Sequence, residues 1–405
     1  MSIEILSIGN ELLTGQTINT NAATIAQKLL SHGFAIKRVT VLPDEPHLLK
    51  KGIEEAMARA SFIITSGGLG PTGDDLTRDI VAEIYGTSLE TDEAIKKDLI
   101  ERFGSHLPTL EDQARLPKGS TVIRNPIGTA PGFILEGKAA LMVLPGVPVQ
   151  MEVMLDAVVA YLDQHSLKKQ AIETLYLSLL SEQQVDPTLR ELEKEHPHVE
   201  FGICPGYGIL SIYLQGENPA ELLALRETLA KKFASNVYST TDKRIEVALH
   251  EWMVAEKKTF ALGESCTGGH LAALLTQHAG ASDYFLGSIV SYSNHLKETA
   301  LGVKTLQAHG AVSQETVIEM AAGVKKLTGA DYILTVSGIA GPTGGTPDKP
   351  IGTVWAAIQT PEKTFAGRVP LKPSVKTREI IIHYSATYLL ATLYRFLKHH
   401  IEPFS

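Results

Sequence analysis

The stretch Ser61-Phe-Ile-Ile-Thr-Ser-Gly-Gly-Leu-Gly-Pro-Thr-Gly-Asp-Asp-Leu-Thr-Arg-Asp79 decides the fold of the first part of the chain. Its apolar half reads as a buried strand, its glycines and proline as a loop, and its acidic end as the first turn of a helix. Strand, glycine-rich loop and helix in succession build open α/β sheets, which bind ligands at the carboxyl ends of their strands. The same alternation surrounds it: 3–8 and 35–42 read as strands, and 22–31, 46–59 and 74–85 as helices, which predicts a parallel sheet covered on both faces. Strand-like segments follow at 121–125, 132–136 and 139–145, and a helix over 149–165 closes the unit.

The loop after residue 66 suits a phosphate but lacks the lysine of a P-loop. Asp74 and Asp75 would repel a phosphate by a few kcal/mol at short range, and a divalent cation binding both kinds of oxygen resolves that conflict. The plain alternative is two helix-start acids that favour the helix dipole. Glu11, in Gly9-Asn-Glu-Leu-Leu-Thr-Gly15, is better explained by a site than by a turn, whereas Asn19 or Thr20 reads as a helix cap. Asp44 reads as a turn residue or a member of the same pocket.

A second site is expected in Phe260-Ala-Leu-Gly-Glu-Ser-Cys-Thr-Gly-Gly269, another strand that turns into a helix. Ser265 supplies a hydroxyl, Thr267 a second, and Gly268 and Gly269 are expected to turn free backbone N–H groups toward a phosphate or oxyanion. Tyr292 or Lys297, from the next segment, would deprotonate the serine if its pKa were lowered. Thr335-Val-Ser-Gly-Ile-Ala-Gly-Pro-Thr-Gly-Gly345 adds Ser337, Gly338 and Gly341 at a third strand end. Cys266 with His270 as base is a rival pair, but a small buried thiol is the commoner state.

A chain of 405 residues with 44% apolar and 20% charged residues has enough core for two or three domains. The style changes over 168–245, where half-buried strands at 174–180 and 210–214 alternate with helices at 186–195 and 219–233, as in a small α+β module. A helix from 246 leads into the Ser265 segment, and a long amphipathic helix runs from about 374 to 399. The net charge of −8 argues against nucleic acid as a partner. No apolar run is long enough to cross a membrane, and two distant cysteines fit a reducing cytoplasm.

These motifs resemble those of the CinA (competence/damage-inducible protein) family along essentially the whole chain. The resemblance implies an α/β chain of three parts: a molybdopterin-binding-like domain over 1–167, a KH-like α+β module over 168–245, and a nicotinamide-nucleotide deamidase domain over 246–405. The first would bind substrate through Gly67, Gly68, Gly70, Thr72, Gly128 and Thr129, and a divalent metal such as magnesium through Asp74, Asp75, Glu11 and Asp44, to cleave ADP-ribose. The last would hydrolyse nicotinamide mononucleotide without a cofactor, using Ser265, Tyr292 and Lys297 for catalysis. Thr267, Gly268, Gly269, Ser337, Gly338, Gly341 and Arg378 would bind the substrate, with Arg378 on its phosphate. Ser337 departs from the family's usual threonine but keeps the hydroxyl. The middle module has Gly202-Ile-Cys-Pro-Gly206 in place of a Gly-x-x-Gly loop, which speaks against RNA binding. A homodimer is expected. Rival readings are a first domain that only holds a nucleotide or pterin, and a competence-related scaffold.

Overall fold

The computed structural model describes residues 2–73, 75–165, 167–371 and 377–404. The chain divides into two compact units, Met1–Ile172 and Glu173–Ser405.

In the first unit β1 (Ile3–Ile8), β2 (Ile36–Leu42) and β3 (Phe62–Ser66) are parallel. A short antiparallel ribbon, β4 (Leu89–Thr91) with β5 (Arg115–Pro117), stands apart. Then β6 (Thr121–Ile123), β7 (Gly132–Leu135) and β8 (Ala140–Leu144) complete a six-stranded sheet of order β2-β1-β3-β8-β7-β6. β8 is parallel to β3, but β7 runs antiparallel to both its neighbours, so the sheet is mixed and not wholly parallel. The connection from β7 to β8 is a tight turn, far too short for the crossover that a parallel pair requires.

Alternate residues of each strand enter different cores. Ile63 and Val143 pack with Leu49, Ile53 and Val81 on one face, and Ile64 and Leu144 with Ile25, Leu29 and Val158 on the other. The helix expected from 74 begins only at Thr77, because the Asp75 carboxylate turns back onto the Thr72 N–H and hydroxyl. The expected helix 149–165 is two, Pro148–Glu152 and Leu155–Asp163.

The second unit opens on a four-stranded sheet of order β10-β11-β9-β12, from β9 (Ala171–Ser178), β10 (Glu200–Pro205), β11 (Ile209–Gly216) and β12 (Val237–Ser239). Ser181 and Gln184 form a capping box that starts the helix Glu182–Glu195 earlier than its charge pattern suggests. The 202–206 run lies in β10 and the turn after it, with the ring of Tyr213 packed over Gly202.

A five-stranded sheet follows, of order β14-β13-β15-β16-β17. It comprises β13 (Phe260–Glu264), β14 (Phe285–Val290), β15 (Tyr332–Gly338), β16 (Val354–Gln359) and β17 (Thr364–Arg368). β13 lies between β14 and β15, parallel to both, so their carboxyl ends open on the same edge. The final helix is described over Arg378–His399; 374–376 lie outside the described residues. Its Ile381, Leu389, Leu390 and Leu393 bury against this sheet's core. Among the described residues no helix is long and apolar enough to cross a membrane.

Candidate functional site

β13 ends on Glu264, whose side chain is fully buried. A buried carboxylate is tolerated only when its oxygens are satisfied. Here the backbone N–H groups of Gly269, Leu271 and Ala272 and the Ser288 hydroxyl all donate to it, at 3.0–3.1 Å. The chain can curl back this way because Gly268 and Gly269 both take positive φ, 61° and 98°. Ser265 is thereby held at the head of the turn, 7% exposed, with its N–H on Val336 of β15.

This corrects the expectation for the glycines. The Gly268 N–H donates to Ser265 O and the Gly269 N–H to Glu264, so neither is free for an oxyanion or phosphate. No backbone carbonyl among the described residues accepts from the N–H groups of Cys266 and Thr267.

The helix Asn294–Leu301, capped by the Ser293 hydroxyl on the Leu296 N–H, carries Lys297 inward until only 1% of it is exposed. Its Nζ donates to Ser265 Oγ at 2.9 Å and to Ser291 O at 2.7 Å, with Tyr292 O at 3.5 Å. Burial lowers its pKa below the usual 10.5. Its hydrogen-bond partners are two carbonyls and a hydroxyl, none of them an anion; on losing a proton the amine keeps two N–H groups for the carbonyls and has a lone pair to turn to the serine hydroxyl.

Tyr292 is 57% exposed, and its hydroxyl accepts from Arg378 at 2.7 Å and not from Ser265. The same guanidinium donates to Gly341 O at 3.0 Å, tying the loops after β14 and β15 to the final helix. Ser337 donates its hydroxyl to Ala311 O at 2.6 Å, and Gly338 packs so tightly on the turn that a Cβ there would sit 3.1 Å from Cys266 Sγ. Burial pushes the Cys266 thiol up to about 12, which removes it as a nucleophile at neutral pH. His270 packs edge-on against His383 with ring centroids 4.3 Å apart, and burial lowers its pKa. Thr267 Oγ1 and Ser291 Oγ are buried without a protein partner among the described residues.

In the first unit the carboxyl ends of β1, β3 and β8 surround a cleft of about 460 Å3. Glu11, Asp44, Asp75, Gly67, Gly68, Gly70 and Thr129 all line it, drawn together from four separate segments. Gly67 is required there, since a Cβ would fall 2.1 Å from Ile8 O. Thr72 stands behind Asp75, holding its carboxylate at 2.9 Å and 2.5 Å, and Gly128 packs on Gln150. Asp44 accepts the Asn10 N–H at 2.8 Å. Asp74 lies outside the described residues. Among those described, no three His, Cys, Asp or Glu side chains converge on one point.

Residues 242–397 match the family described as "CinA C-terminal domain", and residues 4–165 the one described as "Probable molybdopterin binding domain". A CinA-like protein of Desulfosudis oleivorans is 38% identical over 412 residues, covering 98% of this chain and 99% of that one. The chain belongs to the CinA family. A CinA-like protein of Thermotoga maritima is 36% identical over 373 residues, covering 87% of this chain and 89% of its own. Among solved structures, the CinA protein of Thermoplasma acidophilum is 35% identical, covers 40% of this chain and 96% of that one, and has a TM-score of 0.38. The first unit thus carries the molybdopterin-binding fold, and Ser265, Tyr292, Lys297 and Arg378 all fall within the CinA C-terminal domain.

One feature of the site, the role of Glu264, escapes a reading of motifs, and helix spacing favours Lys297 over Tyr292. Glu264 was visible as a lone acid closing an apolar strand, a residue that has to find partners once buried. Lys297 precedes Leu301 by four residues and so shares its inward face.

Proposed function

We propose that the carboxyl-terminal domain hydrolyses the carboxamide of nicotinamide mononucleotide to nicotinate mononucleotide and ammonia, with Ser265 as nucleophile and Lys297 as general base. The observation that carries this is the buried amine of Lys297, 2.9 Å from Ser265 Oγ and without an anionic hydrogen-bond partner. Lys297 takes the Ser265 proton as Oγ bonds to the carboxamide carbon and the C=O electron pair moves onto oxygen. That oxyanion would be met by the N–H groups of Cys266 and Thr267. Collapse expels the amine, which receives the proton from Lys297 and leaves as ammonia. Water then attacks the acyl-serine, giving one proton to Lys297, which returns it to Ser265 Oγ as the carboxylic acid departs and loses its remaining proton to solvent. Arg378 holds the substrate phosphate, and Thr267 Oγ1 gains in the substrate the partner that the protein does not supply. The test is ammonia release from nicotinamide mononucleotide by the wild type and by Ser265→Ala; equal rates would remove the serine.

For the amino-terminal domain we propose cleavage of the pyrophosphate of ADP-ribose with a divalent cation. Three carboxylates lining one cleft beside glycine-rich loops support this. The donors are hard oxygens, which suit magnesium held by one or two carboxylates and completed by substrate phosphates, so a full protein cage is not needed. Asp75 and Glu11 would hold the ion, which when bound neutralises charge on the phosphates. Asp44 braces the Asn10–Leu13 turn that carries Glu11. Formation of AMP from ADP-ribose with magnesium, and its loss with chelator, is the test.

A further inference from the structure

In the second unit the helix Ile245–Glu256 begins beside a cavity of about 320 Å3, walled also by β10, β11, the turn between them and the final helix. A cavity of this size falls within the range for small-molecule sites, roughly 300–1,000 Å3. Pro205, Tyr207, Ile209, Ile245 and Leu274 give it apolar walls, and its charged groups are Lys243, Arg244 and Glu246. The Tyr207 ring is set by stacking on His383, with centroids 5.5 Å apart and planes at 24°.

The acid is the unusual member. Three carboxylates are buried among the described residues, Glu4, Glu246 and Glu264. Arg59 donates to Glu4 at 2.9 Å and 3.0 Å, and three backbone N–H groups and a hydroxyl donate to Glu264. Glu246, 7% exposed, has neither a hydrogen bond nor an ion pair to its carboxylate from any described residue. A buried acid without a partner is costly, so its place in a cavity wall calls for a donor that comes from outside.

The cations differ too. Arg244 is engaged by Asp242, its Nε at 3.0 Å and a terminal nitrogen at 2.6 Å. Lys243 is exposed, and among the described residues its ammonium has no partner. The helix start beside it leaves its first N–H groups without acceptors inside the helix. A simple anion in this cavity would be repelled by Glu246, and a simple amine by Lys243 and Arg244. A molecule carrying both charges on one carbon answers each.

We propose that this cavity binds a free α-amino acid with an apolar side chain. Its ammonium meets Glu246, its carboxylate meets Lys243 and the first N–H groups of the helix, and its side chain lies on the apolar walls.

Calorimetry on the full chain with L-phenylalanine and L-leucine tests this, against phenethylamine, which lacks the carboxylate, and 3-phenylpropionate, which lacks the ammonium. At least one of the amino acids should bind, and about tenfold or more tighter than either truncated analogue. Glu246→Gln and Lys243→Ala should each weaken that amino acid by about tenfold or more. Thr387→Trp, at a partly exposed wall position, should abolish its binding by filling the cavity. Lys243 lies on the surface, so its variant reports even if either of the others fails to fold. A wild type that binds neither amino acid, analogues that bind as tightly as the amino acid, or affinity unchanged in Lys243→Ala or in a folded Glu246→Gln each overturns the assignment.

Discussion

The two candidate sites place acids in opposite circumstances. In the carboxyl-terminal domain Glu264 is fully buried and accepts four hydrogen bonds, and the reactive pair beside it, Ser265 and Lys297, is already in contact. In the amino-terminal domain Glu11 is exposed and Asp44 and Asp75 line an open cleft without converging. One site is assembled by the protein alone. The other supplies donors and leaves their gathering to what binds. The contrast teaches that an acid in a glycine-rich loop can serve structure or chemistry, and that burial with saturated hydrogen bonding tells the two apart.

The sharpest attempt to break this contrast is removal of the preassembled pair. Ser265→Ala and Lys297→Met should each lower ammonia release by about 10³-fold or more. Activity above a tenth of wild type in Lys297→Met would pass the base role to Tyr292. The pair also predicts a pH profile: kcat/KM should rise along an acid limb whose midpoint lies below 10.5, the usual lysine value. The sign for stability is the same. Between the lowered value and 10.5 the unfolded chain holds more protons at Lys297 than the folded one, so stability rises with pH there, and below that window the full penalty of the buried charge applies.

Next in size, Asp75→Asn should reduce AMP formation from ADP-ribose by about 10²-fold if the cleft gathers a cation, while ammonia release is unchanged. Undiminished AMP formation in this variant and in chelator would leave Asp75 as a loop brace for Thr72. A smaller effect is expected of Arg378→Ala: the KM for the mononucleotide should rise about tenfold, with the phosphate-free nucleoside hardly affected. Equal changes for both substrates would assign Arg378 to tying loops together.

The smallest effects compare the two acids directly. In urea unfolding Glu264→Gln should cost about 1–3 kcal/mol, since an amide nitrogen would face backbone donors. Glu11→Gln should stay within about 0.5 kcal/mol. Similar values for the two would erase the distinction drawn between them.

Much of this was legible in the chain where the signal is local. The strands at 62–66 and 260–264 announce themselves by apolar runs ended by glycine-rich turns, and the loop glycines at 67, 68, 268 and 269 by their density. What was not legible depends on partners distant in sequence. Nothing near 132–144 says that β7 turns back against β8 until the tightness of their connection is weighed against a crossover. The β4–β5 ribbon pairs three-residue strands whose pattern is too short to read. Tyr292 and Lys297 look equally fit to be a base as residue types; the inward face of one helix and the exposure of the other side chain separate them.

The cap that Glu264 places on its own turn has a consequence for motion. Amide protons at the start of a helix ordinarily trade with solvent deuterium early, because nothing in the helix holds them. Those of Gly269, Leu271 and Ala272 are held by a carboxylate that water does not reach. They should therefore exchange as late as the strands of the core, and the turn bearing Ser265 should be as still before a substrate arrives as after it leaves.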